Sequence, residues 1–216
     1  GSQSAGAGSG RDLVLGAKTR HSDRVSTYAE HVWRDGPRET SLTRSYGVTY
    51  TPSQLWSFSG QIETGRVRDE VNGDFDRWAL SASAQFDNGE DVTGFAKLEY
   101  REEDGLGSAR DRETWLLSMG IDYQTHPSWH FLGSLDLVRS NSAEDDFRDG
   151  DYTRASIGYA YRPVATDRTN GLVRLTYVDD QPGEDQVSAD GSVDGDRQRS
   201  LVFSADVIHE LTETLT

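Results

Sequence analysis

The chain contains no cysteine. Disulfide frameworks, thiolate metal sites and cysteine nucleophiles are therefore all excluded. It is short of positive charge, with 22 Lys and Arg against 37 Asp and Glu and a formal net charge of -15. A nucleic-acid partner is excluded on that balance, because phosphate neutralisation needs clustered Lys and Arg. No apolar run approaches the ~18 residues of a membrane-spanning helix. No segment repeats apolar residues at helical spacing, and the start of the chain has neither the charged nor the apolar region of a signal peptide. No phosphate-cradling glycine loop and no nucleophile elbow is visible, and no Ser, His and acid follow in a triad order.

Aromatic residues are plentiful, including five Trp and nine Tyr among 216 residues. They argue against disorder despite the polar composition. Residues 1–11 are almost only Gly, Ser, Ala and Gln and read as a flexible linker or tag. Residues 12–216 read as one domain.

Within that domain the apolar period is two. Trp56, Phe58, Gly60 and Ile62 alternate with Ser57, Ser59, Gln61 and Glu63. Trp78, Leu80, Ala82, Ala84 and Phe86 alternate with Ala79, Ser81, Ser83 and Gln85. The pattern recurs over Trp115 to Gln124 and over Leu201 to Val207. Successive side chains of a strand point to opposite faces, so each segment has one apolar and one polar face. Turn signals divide the chain into eleven strands, at 12–20, 24–34, 41–51, 54–65, 75–86, 92–103, 111–125, 128–139, 152–163, 169–180 and 197–209. Most exceed the ~5–6 residues of an ordinary strand. They match the ~9–11 residues of a tilted strand that crosses a bilayer.

Short connections alternate with long ones, and the negative charge follows the long ones. Segments 65–76, 101–113, 140–151 and 179–196 carry -2, -2, -4 and -7, which together equal the whole formal charge. Acid is thus expected at one end of the sheet. Trp56, Trp78, Tyr100, Trp115, Tyr123, Trp129, Tyr159, Tyr161 and Tyr177 fall near strand ends, as in the aromatic girdles of a membrane barrel.

Two hairpins share one design. Tyr50-Thr51-Pro52-Ser53-Gln54-Leu55-Trp56-Ser57-Phe58 and Tyr123-Gln124-Thr125-His126-Pro127-Ser128-Trp129-His130-Phe131 each have an aromatic strand end, a Pro turn and a Trp that opens the next strand. The pattern resembles the periplasmic hairpins of Gram-negative outer-membrane β-barrel proteins, of the porin or TonB-dependent-receptor type, and of barrels that end large surface proteins. The resemblance covers residues 12–216. It implies an all-β, antiparallel, up-and-down transmembrane barrel of about eleven visible strands, twelve or more when complete. Short turns lie at one end and long acidic loops at the other. It also implies an outer-membrane location and contact with lipid or lipopolysaccharide. Bacterial barrels usually have an even strand count, so further strands or a plug domain are expected, and Glu210 to Thr214 read as the start of another turn.

The expected function is a channel or membrane anchor, without cofactor or catalysis, whose partners are small polar solutes or cations. Gln61, Glu63, Gln85, Asp122, Asp136, Arg162, Arg174 and Asp206 are candidates for the lumen wall. Asp145, Asp146, Asp149, Asp185, Asp190 and Asp194 are candidates for the acidic outer loops. A soluble, secreted binding module of the adhesin or lectin type is the alternative. A barrel enzyme is a weaker one, resting on His31 with Glu30 and Glu63.

Overall fold

The structure is a computed structural model that describes residues 10–37, 39–69, 73–106, 111–142, 148–163, 168–182 and 197–210. It is a single antiparallel sheet in which each strand pairs only with its sequence neighbours, in the order β1 to β11. The strands are β1 (Arg11–Arg20), β2 (Val25–Asp35), β3 (Glu39–Tyr50), β4 (Trp56–Asp69), β5 (Gly73–Asp87), β6 (Val92–Leu106), β7 (Arg112–His126), β8 (Trp129–Asn141), β9 (Arg148–Tyr161), β10 (Thr169–Pro182) and β11 (Gln198–His209). All eleven expected strands are present, and no helix occurs among the described residues. Among the described residues the outer edges of β1 and β11 carry no partner strand.

The strands overrun their expected ends at the acidic pole. β4 continues to Asp69, and β5 begins at Gly73. Arg66 and Arg68 there face Asp76 and Asp74 across the ladder, and Arg66 Nε donates to Asp76 Oδ1 at 2.6 Å. Opposite charges on directly facing positions extend the pairing where no apolar alternation signals a strand. β9 likewise begins at Arg148, so Asp149 lies within a strand. The opposite pole turns tightly. Between β5 and β6, Gly89 has φ of 72°, and the Asn88 side chain accepts the backbone N–H groups of Glu90, Asp91 and Val92. Pro127 and Ser128 alone join β7 to β8.

The register sorts the side chains into two faces. One carries Phe58, Ile62, Leu80, Leu98, Tyr100, Trp115, Met119, Ile121, Ile157 and Phe203. No described residue packs over it: Leu80 is 53% exposed, Ile157 55% and Phe203 67%. No side chain is fully buried among the described residues, and the buried apolar ones are Val67 and Ala79. An unpacked apolar face of this extent has no place in a water-soluble domain. The buried positions of the ladders lie instead mostly on the other, hydrophilic face: Ser41, Ser45, Val67, Ala79 and Ser140. Crowding on one face and exposure on the other is what a sheet curled around its polar side produces.

Two glycines serve that curvature. Tyr28 on β2 lies over Gly47 on β3, where an added β-carbon would meet its ring at 2.2 Å. Phe95 on β6 covers Gly120 on β7 in the same way, at 2.4 Å.

Candidate lumen face

The polar face is built by the positions between the apolar ones. Gln61, Glu63, Gln85, Asp122, Asp136, Arg174 and Asp206 all lie on it, in step across the seven strand pairings from β4 to β11. Arg162 is an exception, since β9 ends at Tyr161 and Arg162 follows the ladder, its backbone N–H donating to Ser128 O. Asp145, Asp146, Asp185, Asp190 and Asp194 fall outside the described residues, as does the turn expected after Glu210.

Small hydroxyls make a belt at mid-height. Ser59 and Ser83 share a hydrogen bond of 2.7 Å, as do Ser134 and Ser156, and Ser118 donates to Asp136 at 2.6 Å. Toward the acidic end the face is charged but internally matched. Arg77 meets Glu63 at 3.0 Å. Glu99 accepts from both Lys97 and Arg101 at 2.8 Å and is 14% exposed. Arg77 Nε and Arg101 Nε are buried without a partner. Arg77, Lys97, Glu99 and Arg101 are absent from the sequence-based candidates. Their signal was available: Trp78 and Leu80 alternate with Arg77 and Ala79 on β5, and Ala96, Leu98 and Tyr100 alternate with Lys97, Glu99 and Arg101 on β6, which marks the charged residues as the opposite face.

Near the short-turn end the pattern changes. Asp122 bonds His130 at 2.9 Å. No Arg or Lys meets Asp122 among the described residues. Arg174 stands on the same face without an ion pair or hydrogen bond among the described residues.

The enzyme alternative meets a geometric obstacle. His31 belongs to the apolar face, where its ring lies at 6.1 Å from that of Tyr46, while Glu30 and Glu63 belong to the polar face. Adjacent strand positions cannot share a site, because they project from opposite sides of the sheet. Among the described residues no three His, Asp or Glu side chains gather in a metal-binding group.

Aromatic side chains band the apolar face at both margins. At the short-turn margin Trp56 packs on Phe58 and Phe86, and Trp129 packs on Tyr159 and Tyr161, with centroids 4.6 to 5.6 Å apart. At the acidic margin Trp78, Tyr100 and Trp115 form a row with centroids 5.2 and 4.7 Å apart. Trp78 Nε1 and Tyr100 OH both donate to Glu102, so the polar tips point to the charged side of the row. Rings with one apolar and one hydrated end suit a headgroup level.

Beyond that margin the carboxylates diverge. The Arg197 guanidinium donates to Asp179 through Nε, at 2.6 Å, and Nη2, and Arg199 approaches it at 3.3 Å. The hydrogen bonds from Arg197, with help from Tyr177, pull the Asp179 carboxyl down to about 2. Arg66 lowers Asp76 in the same way. Asp104 moves upward, through loss of water first and then through the negative charges of Glu102, Asp111 and Asp76.

No protein-family model matches the chain, and no curated protein is measurably similar to it in sequence. Solved structures do share its fold. The outer-membrane channel DcaP of Acinetobacter baumannii superposes with a TM-score of 0.66 at 11% identity, over 90% of this chain and 61% of that one. The copper transporter OprC superposes with a TM-score of 0.53 at 14% identity, over 96% of this chain and 43% of that one. The chain thus spans less than two thirds of DcaP and less than half of OprC. The NanC porin is a fainter likeness, with a TM-score of 0.41, 13% identity and 94% of each chain covered. The fold is that of an outer-membrane β-barrel wall, antiparallel and up-and-down throughout.

Proposed function

We propose that this wall belongs to a Gram-negative outer-membrane channel or membrane-anchoring barrel. The observation that carries the reading is the single-layer sheet whose apolar face is unpacked and bounded on both sides by aromatic rows. That face meets lipid, with lipopolysaccharide at the acidic margin. The hydroxyl-rich face meets water and small polar solutes. The soluble adhesin-like alternative requires a second layer over the apolar face, and the described residues contain none. Catalysis is not part of the proposal.

Closure of the wall follows a parity rule. β1 and β11 run in the same direction, since both are odd in an alternating series. A seam between them would be parallel, whether within one chain or between two copies inserted the same way up. An all-antiparallel barrel therefore takes an odd number of further strands between these edges. Unpaired strand edges in hydrocarbon cost several kcal/mol per polar group, so the edges must be filled.

The acidic pole enriches cations at the outer mouth. Planar-bilayer recordings in a salt gradient test the channel reading. Cation-selective conductance is expected. Anion preference would overturn the role given to the acidic pole, and a tightly inserted protein without conductance would leave the anchor.

A further inference from the structure

The polar face holds a groove of about 520 Å³ toward its short-turn end, with Gln85, Phe95, Asp122, Ser134, Ser156 and Arg174 among its lining residues. One rung of the sheet crosses it. Asp122 on β7 faces Leu132 on β8, Leu132 faces Gly158 on β9, and Gly158 faces Arg174 on β10. The acid and the base thus stand at the two ends of one row. Three strand spacings separate their backbones, about 14 Å on a flat sheet. They do not neutralise each other, and no ion pair to Arg174 occurs among the described residues. The charges nearer the acidic pole, by contrast, are spent on one another, as Arg77 is on Glu63 and Lys97 and Arg101 are on Glu99.

Between the two charges this rung projects Leu132 beside Asp122 and, next to Arg174, no side chain. Gly158 projects nothing, and a β-carbon there would lie 3.7 Å from Cβ of Arg174 and narrow the gap. Phe95, folded over Gly120, supplies an apolar floor. The neighbouring rung offers the paired hydroxyls of Ser134 and Ser156 and the amide of Gln85 as neutral hydrogen-bonding groups.

We propose that this rung binds short peptides with free termini, the ammonium group at Asp122 and the carboxylate at Arg174. A lone cation would use one end of the row and a lone anion the other; a zwitterion of the right length uses both. An extended peptide spans about 3.3–3.6 Å per residue. Two or three residues fill the distance left once the long Arg174 side chain has taken its share. The proposal rests on the reading of this face as a water-lined lumen wall.

Triglycine and its end-blocked analogue, N-acetyl-triglycine amide, are the probes. Binding to the folded, detergent-solubilised protein is measured by saturation-transfer NMR and calorimetry. Triglycine is expected to bind, and the blocked peptide at least tenfold more weakly, because charged hydrogen bonds at both ends are lost. Arg174→Gln and Asp122→Asn should each weaken triglycine about tenfold or more. Lys18→Gln, on the same face but on β1, should leave it unchanged. Equal binding of the two probes, or unaltered binding to both Arg174→Gln and Asp122→Asn, overturns the proposal. Single-channel current separates the two readings. Conductance without triglycine binding removes the peptide site and keeps the channel; binding without conductance removes the channel and keeps the site.

Discussion

Tyr50 and Tyr177 occupy one rung of the sheet, yet they mark opposite margins of the apolar face. The rung runs from Tyr50 through Phe58, Ala84, Ala96, Met119, Leu135 and Ala155 to Tyr177. Tyr50 adjoins the Pro52 turn, whereas Tyr177 donates to Asp179 at the acidic pole. A row perpendicular to the strands climbs the whole apolar band, so the strands lean. Seven strand spacings cover about 34 Å, and a band about 25 Å tall crossed over that distance gives a tilt of about 45°. Polarised infrared dichroism of the amide I band in oriented bilayers should return a tilt near 45°. Strands within ~15° of the membrane normal would contradict the assignment of the two margins.

Adjacent residues of β7 should respond unequally to the same change. Met119 lies mid-band on the apolar face, and Ser118 lies on the polar face, where it donates to Asp136. Met119→Arg is expected to destabilise the protein in lipid vesicles by about 2–4 kcal/mol, the cost of a cation near the bilayer midplane. Ser118→Arg keeps its charge in water and should cost about 1 kcal/mol or less. Urea titration of vesicle-folded protein provides the comparison.

Glu63 and Arg77 are both roughly three-quarters buried, at 23% and 22% exposed. Glu63→Gln leaves the guanidinium without its counter-charge while Arg77 Nε already lacks a partner. A loss of about 1–2 kcal/mol is expected, less than for a fully buried pair because water reaches both groups. The double variant Glu63→Gln, Arg77→Gln should recover part of it in the same titration.

The clamp of Arg197 on Asp179 has a defined acid limit. Its carboxyl titrates at about 2 in the folded hairpin against an ordinary 3.8. A depressed carboxylate stabilises the fold fully above its unfolded value, and the contribution is lost as pH falls from 3.8 toward 2. Amide exchange in the β10–β11 hairpin should accelerate across that window. In Arg197→Gln the Asp179 titration should move up toward 3.8, read by carbonyl NMR.

The cysteine-free background allows the register to be tested directly. Ser134 and Ser156 face each other with hydroxyls 2.7 Å apart. Ser134→Cys with Ser156→Cys should oxidise to a disulfide, whereas Ser134→Cys with Ile157→Cys should not, because Ile157 projects from the other face. Gel mobility with and without reductant distinguishes them. Cross-linking in the second pair alone would shift every face assignment by one residue.

Alternation such as that of Trp56 to Ile62 and of Trp78 to Phe86 was enough to mark strands, and the register across the sheet sets seven of the eight lumen candidates on one polar face. Arg162 fell outside because a strand end is set by where the partner strand stops, which β8 determines from Trp129 onward. The upper parts of β4 and β5 were hidden for a related reason. Arg66, Arg68 and Asp74 read as loop residues locally, and the pairings of Arg66 with Asp76 and of Arg68 with Asp74 exist only across the hairpin. The pairing of Asp122 with His130, and the want of a partner for Arg174 among the described residues, depend on register and on three dimensions, and neither leaves a mark on a single strand. The lean of the sheet is of the same kind, since it compares residues more than a hundred positions apart.

Among the described residues every strand clasps only the strands before and after it in the chain. Drawn out of a membrane by one end, such a wall has no central knot to resist as a whole. It should come away hairpin by hairpin, each release exposing the next edge to the same pull, like a curtain unhooked ring after ring.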